Sequence, residues 1–317
     1  VHFFSDILVP FSLGLGFFLL GMYAMRVGFH NLAGKKMESI LQRFTRTPTH
    51  SFFSGLFSTM VLQSSTAVTV LTIGLTQAGI IGFAQTVGII LGTNVGTTVT
   101  TQLIALQLEE LAVPMLLVGV ALWLMPKRTP RCIGLITAGF GLLFLGIDTM
   151  QVMAKPLEHS ATFRMLFLES SHSVWIGLVT GTIFSALIHS SSATTAITMG
   201  LMANQVLGIE TAIAIVLGAN IGTCFTALIA SIGTNVESRQ VAWCHTLFNL
   251  AGALVFLPFL TSLANLVQFL TNDPAIQIAH AQTIFNVICS VASLPFTHQI
   301  AAFMQWLIRE KQKPRLV

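Results

Sequence analysis

The stretch SFFSGLFSTMVLQSSTAVTVLTIGLT, residues 51–76, decides how the whole chain must be read. It is mostly apolar, yet Gln63-Ser64-Ser65-Thr66 sets four polar side chains in a row at its middle. At 1.5 Å rise per residue the arms on either side reach about 15 Å each, half the hydrocarbon thickness of a bilayer. That shape predicts a re-entrant hairpin with its tip near the midplane rather than a simple span. Irregular backbone at such depth is tolerated only where it is buried in protein or lines a wet cavity.

The rest of the chain supports a membrane setting. Of 317 residues, 54% are hydrophobic and only 8% charged, with a mean hydropathy of +0.81. Soluble domains carry about 25% charged residues. So few charges cannot cover a soluble surface, which excludes a cytosolic enzyme or a nucleic-acid binder despite the net charge of +4. The basic residues cluster at Lys35–Arg46, Lys127–Arg131 and Arg309–Arg315, each between or after apolar runs. Short basic loops beside spans set orientation by the positive-inside rule. Cys132, Cys224, Cys244 and Cys289 are scattered without CxxC spacing, so neither a transition-metal site nor a disulfide framework is expected. The first apolar run, from Ile7, follows no basic region or small-residue cleavage site and reads as a span rather than a signal.

A duplication dominates the pattern. Gly55–Thr100 aligns without gaps onto Gly181–Thr226, an offset of 126, with Ser64/Ser190, Ser65/Ser191, Thr69/Thr195, Asn94/Asn220 and Thr97/Thr223 identical. Upstream, GFFLLGM at 16–22 matches GLLFLGI at 141–147, one residue out of step. Parity then fixes topology. With the basic stretches 30–50 and 127–131 on one side, an even number of crossings must separate them, yet three apolar runs intervene. The hairpin at 51–76 resolves the count, and 173–201, tipped by His189-Ser190-Ser191-Ser192, is its copy from the opposite side. Nine simple spans would instead put 127–131 outside, against the charge rule. The expectation is an all-α polytopic membrane protein: an inverted-repeat transporter with about seven transmembrane helices and two opposed re-entrant hairpins. The first repeat covers 1–131, the second 132–270, and 271–317 holds a last span and a basic tail. The N-terminus is expected outside and the C-terminus in the cytoplasm, in an inner or plasma membrane.

Inverted-repeat transporters hold substrate near the midplane at discontinuous helices. Two motif pairs suit that role. One is the pair of hairpin tips, and the other is Gly92-Thr-Asn-Val-Gly-Thr-Thr98 with its copy Gly218-Ala-Asn-Ile-Gly-Thr-Cys224. Two glycines around an Asn cost a helix about 1 kcal/mol each, so these segments are expected to unwind and expose carbonyls. The competing reading is that small residues only permit close helix packing. Hydroxyls, carboxamides and carbonyls are hard, uncharged oxygen donors suited to Na+. The same hydroxyls, with N–H groups at helix N-termini, suit an anion. No Lys or Arg lies in these segments, so a bound anion is expected to be neutralised by co-bound cations.

QSST and HSSS, each followed by G-x-N-[VI]-G-T, resemble the duplicated QSSS and GANIGT motifs of type II sodium–phosphate cotransporters. His245-Thr-Leu-Phe-Asn249 and Gln282-Thr-Ile-Phe-Asn286 resemble a further H-x-x-F-N element of that family. The resemblance spans nearly the whole chain and implies Na+-driven phosphate symport by alternating access, with no cofactor beyond the co-transported Na+. It implies that Ser64, Ser65, Thr66, Ser190, Ser191 and Ser192 contact phosphate, while Gln63, His189, Asn94, Thr97, Asn220 and Thr223 bind or support Na+. Phosphate, Na+ and lipid are the expected partners, with no nucleic acid and room for a homo-oligomer. Two positions depart from the family pattern. Thr66 keeps the hydroxyl of the Ser it replaces. His189 replaces a Gln with an imidazole that changes charge in the physiological range, and either tunes transport with pH or satisfies a local backbone group.

Other residues carry competing readings. Asp148, near the outer end of a span, is either functional or solvated. Arg26 is expected to snorkel from the inner end of the first span. His245, Asn249 and Asn286 are expected to brace helix contacts. Transport of another small oxyanion on the same scaffold is the nearest alternative. An intramembrane hydrolase built on Ser190 or Ser191 with His189 is remote, because adjacent residues cannot easily form a nucleophile–base pair and no GxSxG signature occurs.

Overall fold

The computed structural model describes residues 8–45, 47–106, 109–151 and 173–309. Among these residues the chain is helical, with no strand, and it is an all-α polytopic membrane protein. The first two helices to note are the arms of the hairpin at 51–76: α2 (Pro48–Leu62) and α3 (Ser65–Gln77), which follow α1 (Val9–Arg43). Then come α4 (Phe83–Ile104), α5 (Ala112–Trp123) and α6 (Arg128–Gln151). The second hairpin is α7 (Val174–Ile188) and α8 (Ser191–Ala203), followed by α9 (Ile209–Gly222) and α10 (Cys224–Ala230). The last described helices are α11 (Val236–Phe256), α12 (Leu260–Leu270), α13 (Pro274–Ser293) and α14 (Thr297–Leu307).

Among the described residues six helical runs are long and apolar enough to cross a bilayer: Val9–Ala33, Phe83–Ile104, Arg128–Thr149, Ile209–Ala230, Val236–Leu270 and Pro274–Leu307. The seventh expected span, 111–125, is the shorter α5 of 12 residues. At 1.5 Å per residue α5 is about 18 Å long, less than the hydrocarbon core. The last two runs are long because each is bent at a 3-10 turn, Leu257-Pro258-Phe259 and Leu294-Pro295-Phe296. Proline removes a backbone hydrogen bond and kinks the helix there. These turns lie 37 residues apart, the same offset that separates Asn249 from Asn286, so α11–α12 and α13–α14 are a second, tandem copy.

The repeat extends to every helix boundary of its core. At the offset of 126, α2 matches α7, α3 matches α8, and α4 matches α9 plus α10, residue for residue at both ends. The directions follow from three hydrogen bonds. The N–H of Phe83, at the start of α4, donates to the Glu237 carboxylate at the start of α11 (3.1 Å). Farther along, Asn94 Nδ2 donates to Asn249 Oδ1 (3.2 Å), so α4 and α11 run the same way. By contrast α11 turns back along α10, with Cys224 Sγ 3.7 Å from the His245 carbonyl. Hence α4 and its copy run in opposite directions, and the repeats are inverted.

Charge marks one end of the molecule. Lys35, Lys36 and Arg43 lie on the α1 extension past Ala33, and Arg128 donates to the Asn31 carbonyl (2.7 Å). Gln240, beside Arg239, donates to the Ile308 carbonyl (2.8 Å), which brings Arg309 to the same end. Every described Lys and Arg except Arg26 is found there. Residues 310–317 and the first seven lie outside the described residues.

The glycines of α4 and α9 do not unwind their helices. α4 is unbroken through Gly92–Thr98, and its copy shows only a local turn at Thr223, whose N–H still donates to the Ala219 carbonyl (3.1 Å). A Cβ on Gly92 would sit 2.0 Å from the Phe52 carbonyl oxygen, and one on Gly218 would sit 2.0 Å from that of Leu178. Backbone meets backbone where α2 crosses α4 and α7 crosses α9. Close packing, the competing reading of these motifs, therefore accounts for the glycines, and the expectation of exposed carbonyls is corrected.

Candidate functional site

Both hairpins turn by the same device. α2 ends on Gln63 at φ 52°, ψ 34°, and α7 ends on His189 at φ 57°, ψ 31°. The next residues, Ser64 and Ser190, are extended and cap the returning helices. Ser64 Oγ accepts from the Ala67 N–H (3.1 Å) and Ser190 Oγ from the Ala193 N–H (3.2 Å). A left-handed conformation costs a non-glycine residue about 1–2 kcal/mol. Such strain persists only where its surroundings over-determine it, and it gathers at functional sites.

The two tips meet. Gln63, Ser64, Ser65 and Thr66 from one, and Ser190, Ser191 and Ser192 from the other, line a single cavity with Thr97 and Thr100 of α4, Thr223 and Arg26. Nine hydroxyls, one carboxamide and one guanidinium surround it. Thr66 Oγ1 lies 3.4 Å from Thr223 Oγ1, joining the first tip to the end of α9. The N-termini of α3 and α8 begin at this cavity, and the N–H groups of their first residues have no intrahelical acceptor. Two positive helix ends beside a guanidinium form a setting for an anion. Its volume is about 10 Å³, roughly the room one water needs. The tips must part to admit a tetrahedral oxyanion.

Arg26 corrects two expectations. It does not snorkel: it is half-buried, with Nε donating to the Gln63 carbonyl (3.3 Å) and Nη2 to Ser190 Oγ (3.4 Å). The physical reason is that α1 continues to Arg43, so Arg26 lies well inside the helix rather than near its end. Nor is the site free of fixed charge, as the absence of Lys and Arg from the motif segments suggests. The sequence signal for this residue is present, since an ionisable side chain within a span is a functional candidate by default.

The remaining expected residues divide. Thr97 and Thr223 line the cavity. Asn94 and Asn220 are buried outside its lining, and each donates to a partner: Asn94 to Asn249, and Asn220 to Asn286 Oδ1 (3.1 Å). Asn249 also donates to the His245 carbonyl (3.0 Å), so these amides clasp α4 to α11 and α9 to α13. His189 is exposed and turned from the cavity, with Nδ1 2.9 Å from Thr226 Oγ1. Asp148 is exposed near the end of α6 opposite Arg128. Three buried oxygens around the tips have no hydrogen-bond partner: Gln63 Oε1, Thr69 Oγ1 and its repeat mate Thr195 Oγ1. Among the described residues no three His, Cys, Asp or Glu side chains gather, so the donors near the site are hydroxyls and amides. Such hard oxygens suit alkali cations better than transition metals.

The profile of the Na+/Pi-cotransporter family matches residues 17–152 and 149–279, which together take in both hairpins. The chain belongs to that family. Members of the Na+/Pi-cotransporter family are transporters, not enzymes. Among its relatives, YqeW of Bacillus subtilis, an uncharacterized protein, is 37% identical over 270 residues, 85% of this chain and 88% of that one. The protein named "Putative inorganic phosphate export protein YjbB" in Salmonella typhimurium is 27% identical over 252 residues, 79% of this chain. The match spans only 46% of YjbB's own length. Sodium-dependent phosphate transport protein 2B of Rattus norvegicus is 30% identical over 155 residues, 48% of this chain and 21% of that protein. No solved structure matches significantly.

Proposed function

We propose that this chain moves inorganic phosphate with Na+ by alternating access about the cavity between the hairpin tips. The observation that carries this reading is the convergence of two opposed helix N-termini and one guanidinium on a hydroxyl-lined cavity. Ser64, Ser65, Thr66, Ser190, Ser191 and Ser192 bind the oxyanion through hydroxyls and first-turn N–H groups. Arg26 joins them with charge-assisted hydrogen bonds. Gln63, Thr97 and Thr223 offer oxygens to Na+, and Asn94 and Asn220 support the spans behind them. His189 faces Thr226 and supports its tip rather than ligating. The names of the mammalian relatives support Na+ coupling, as do the partnerless buried oxygens beside the tips.

Applied to the basic end, the positive-inside rule puts it in the cytoplasm, with the chain's beginning outside and its end inside. Alternating access then exposes the site to either side in turn while it stays near the midplane. The matched clasps Asn94–Asn249 and Asn220–Asn286 add α11 and α13 as a further symmetric pair.

The test is phosphate uptake into proteoliposomes under an inward Na+ gradient against a K+ control, with arsenate and sulfate as competitors. Na+-dependent accumulation blocked by arsenate is expected, and its absence refutes symport. The name of YjbB favours a second reading, phosphate export. Outward phosphate flux indifferent to Na+ in the same vesicles would support export instead.

A further inference from the structure

The corner where α1 hands over to α2 holds a groove of about 420 Å³, within the usual range of ligand pockets. Its apolar walls are Ile40 and Phe44 at the end of α1, and Phe53 and Phe57 of α2, whose rings stack with centroids 6.3 Å apart. Thr49 and His50 line it nearer the start of α2. Two hydrogen bonds fix the corner: Ser54 Oγ donates to the Phe44 carbonyl (2.7 Å) and Ser51 Oγ to that of Thr45 (3.3 Å). His50 Nδ1 lies 2.6 Å from Thr47 Oγ1, and its Nε2 has no partner among the described residues. With the hairpin tip near the midplane, the groove spans two layers of the bilayer. Counted from Leu62 along an upright helix, Phe57 and Phe53 lie about 8 and 14 Å up, inside the roughly 15 Å half-thickness of the hydrocarbon. His50 lies about 18 Å up, among the headgroups. Exposed Lys36 and Arg43 stand four residues before and three after Ile40, so all three share one face of α1. Glu38, the one acid in this part of α1, is two positions from Ile40 and faces elsewhere. The copy at the other hairpin has none of this chemistry: Thr49, His50, Phe53 and Phe57 correspond to Trp175, Ile176, Val179 and Ile183, an exposed apolar face.

The geometry points to a seat for one anionic glycerophospholipid of the cytoplasmic leaflet. Its phosphate meets Lys36, Arg43 and His50 Nε2, while one acyl chain lies along Phe53 and Phe57 between the two helices. Apolar walls alone accept any acyl chain. Basic residues beside them, at the end that the positive-inside rule puts in the cytoplasm, select the headgroup. Each Lys or Arg near the surface is worth about fivefold in affinity for an anionic lipid. A zwitterionic lipid brings its own cation to the same place and forfeits that gain. A free anion has no chain for the aromatic walls, and a soluble partner cannot reach Phe57 at hydrocarbon depth. The seated lipid bridges α1 to the entering arm of the first hairpin, so its binding stabilises that corner. The seat shares no residue with the cavity between the tips, and it stands whether or not the chain carries phosphate.

The experiment titrates delipidated, detergent-purified protein with phosphatidylglycerol or phosphatidylcholine of identical chains. Retained lipid is read by native mass spectrometry, and the melting temperature alongside it. Wild type should bind phosphatidylglycerol at least about tenfold more tightly and melt several degrees higher with it. Lys36→Gln with Arg43→Gln should lower phosphatidylglycerol affinity about 10–30-fold and erase most of the preference. Phe53→Ala with Phe57→Ala, both rings half-exposed, should weaken both lipids severalfold and leave the preference in place. Lys127→Gln with Arg309→Gln takes the same charge from the same end but outside the groove's lining, and should change neither affinity by more than about twofold. Glycerol phosphate and inorganic phosphate should displace no lipid. Equal wild-type affinity for the two lipids overturns the proposal. So does an equal loss in the two charge variants, which marks a general surface effect, or displacement by either soluble phosphate, which marks an anion site without a lipid seat. A folded Lys36→Gln/Arg43→Gln protein that keeps the preference overturns it as well. Should that double variant fail to fold, Lys36→Gln alone decides: about fivefold weaker phosphatidylglycerol binding is expected, and an unchanged affinity refutes the seat.

Discussion

Substituting Gly218 by Ala sets the two accounts of the glycine motifs against each other, because they predict opposite signs. Gly218 lies on α9 against α7, and a Cβ there would be 2.0 Å from the Leu178 carbonyl oxygen and 2.9 Å from the Thr182 nitrogen. Those atoms are backbone of a packed helix and cannot rotate away. Relief requires the helices to part by roughly 1 Å, in interiors as close-packed as organic crystals. Overpacking of this kind costs about 1–3 kcal/mol or more. The better helix propensity of Ala returns about 1 kcal/mol. The net expectation is a loss of about 2 kcal/mol, or several degrees in the melting temperature of the detergent-purified protein. Gly74→Ala is the control: it sits within α3 with nothing within 4 Å of the new methyl, so only the propensity gain of up to about 1 kcal/mol remains. Both variants change the same atoms on a helix, and only the neighbours differ. A Gly218→Ala protein as stable as wild type, or more so, would refute the packing argument and restore the expectation that the span unwinds there.

The two capping serines should differ in a defined way. Ser64→Ala and Ser190→Ala each lose a cap of about 1 kcal/mol, but only Ser190 also accepts from Arg26. A double-mutant cycle with Arg26→Gln, read by thermal unfolding, should therefore show coupling for Ser190→Ala and none for Ser64→Ala. Asn249→Ala removes the acceptor of Asn94 Nδ2, which should lower stability by about 0.6–2 kcal/mol in a membrane setting, and an unchanged melting curve would contradict the clasp.

The hairpins can be read from the chain because their signal is chemical as well as periodic. Gln63-Ser64-Ser65-Thr66 interrupts an apolar run at its centre, and a matching polar tetrad recurs 126 residues later. Parity of charged loops then implies their opposition, and the bonds linking α4, α11 and α10 show the same inversion. What escapes such a reading depends on neighbours that sequence alone does not supply. Hydropathy falls after Phe29 and so places Arg26 near a helix end, yet helix formation outlasts hydropathy and α1 runs to Arg43. Propensity assigns the glycines an intrinsic cost, when the deciding fact is the carbonyl of another helix 2.0 Å from a would-be methyl. The tandem Leu-Pro-Phe turns are legible in principle, since Pro258 and Pro295 sit at the same distance from Asn249 and Asn286. They become meaningful only once both asparagines are seen clasping repeat-related spans.

An inverted repeat supplies two related conformations, and strict identity of the halves would make them equal in energy. This chain departs from identity beside the cavity. Along α4, beyond Thr97, stand Thr98, Thr101 and Gln102, whereas the copy holds Cys224, Ala227 and Leu228. Thr98 and Thr101 spend their hydroxyls on their own helix, bonding the Val95 and Thr98 carbonyls. Gln102 instead reaches α13, donating to Thr283 Oγ1 (2.8 Å) near His280 Nδ1. The segment of α4 past the cavity, toward the end opposite the basic loops, thus carries three polar side chains where the copy in α10 carries Cys, Ala and Leu. Unequal side chains at matching positions make the two halves unequal in energy. Arg26 belongs with these asymmetries, because the matching position on α6 is Gln151. One half alone carries the charge that both tips share.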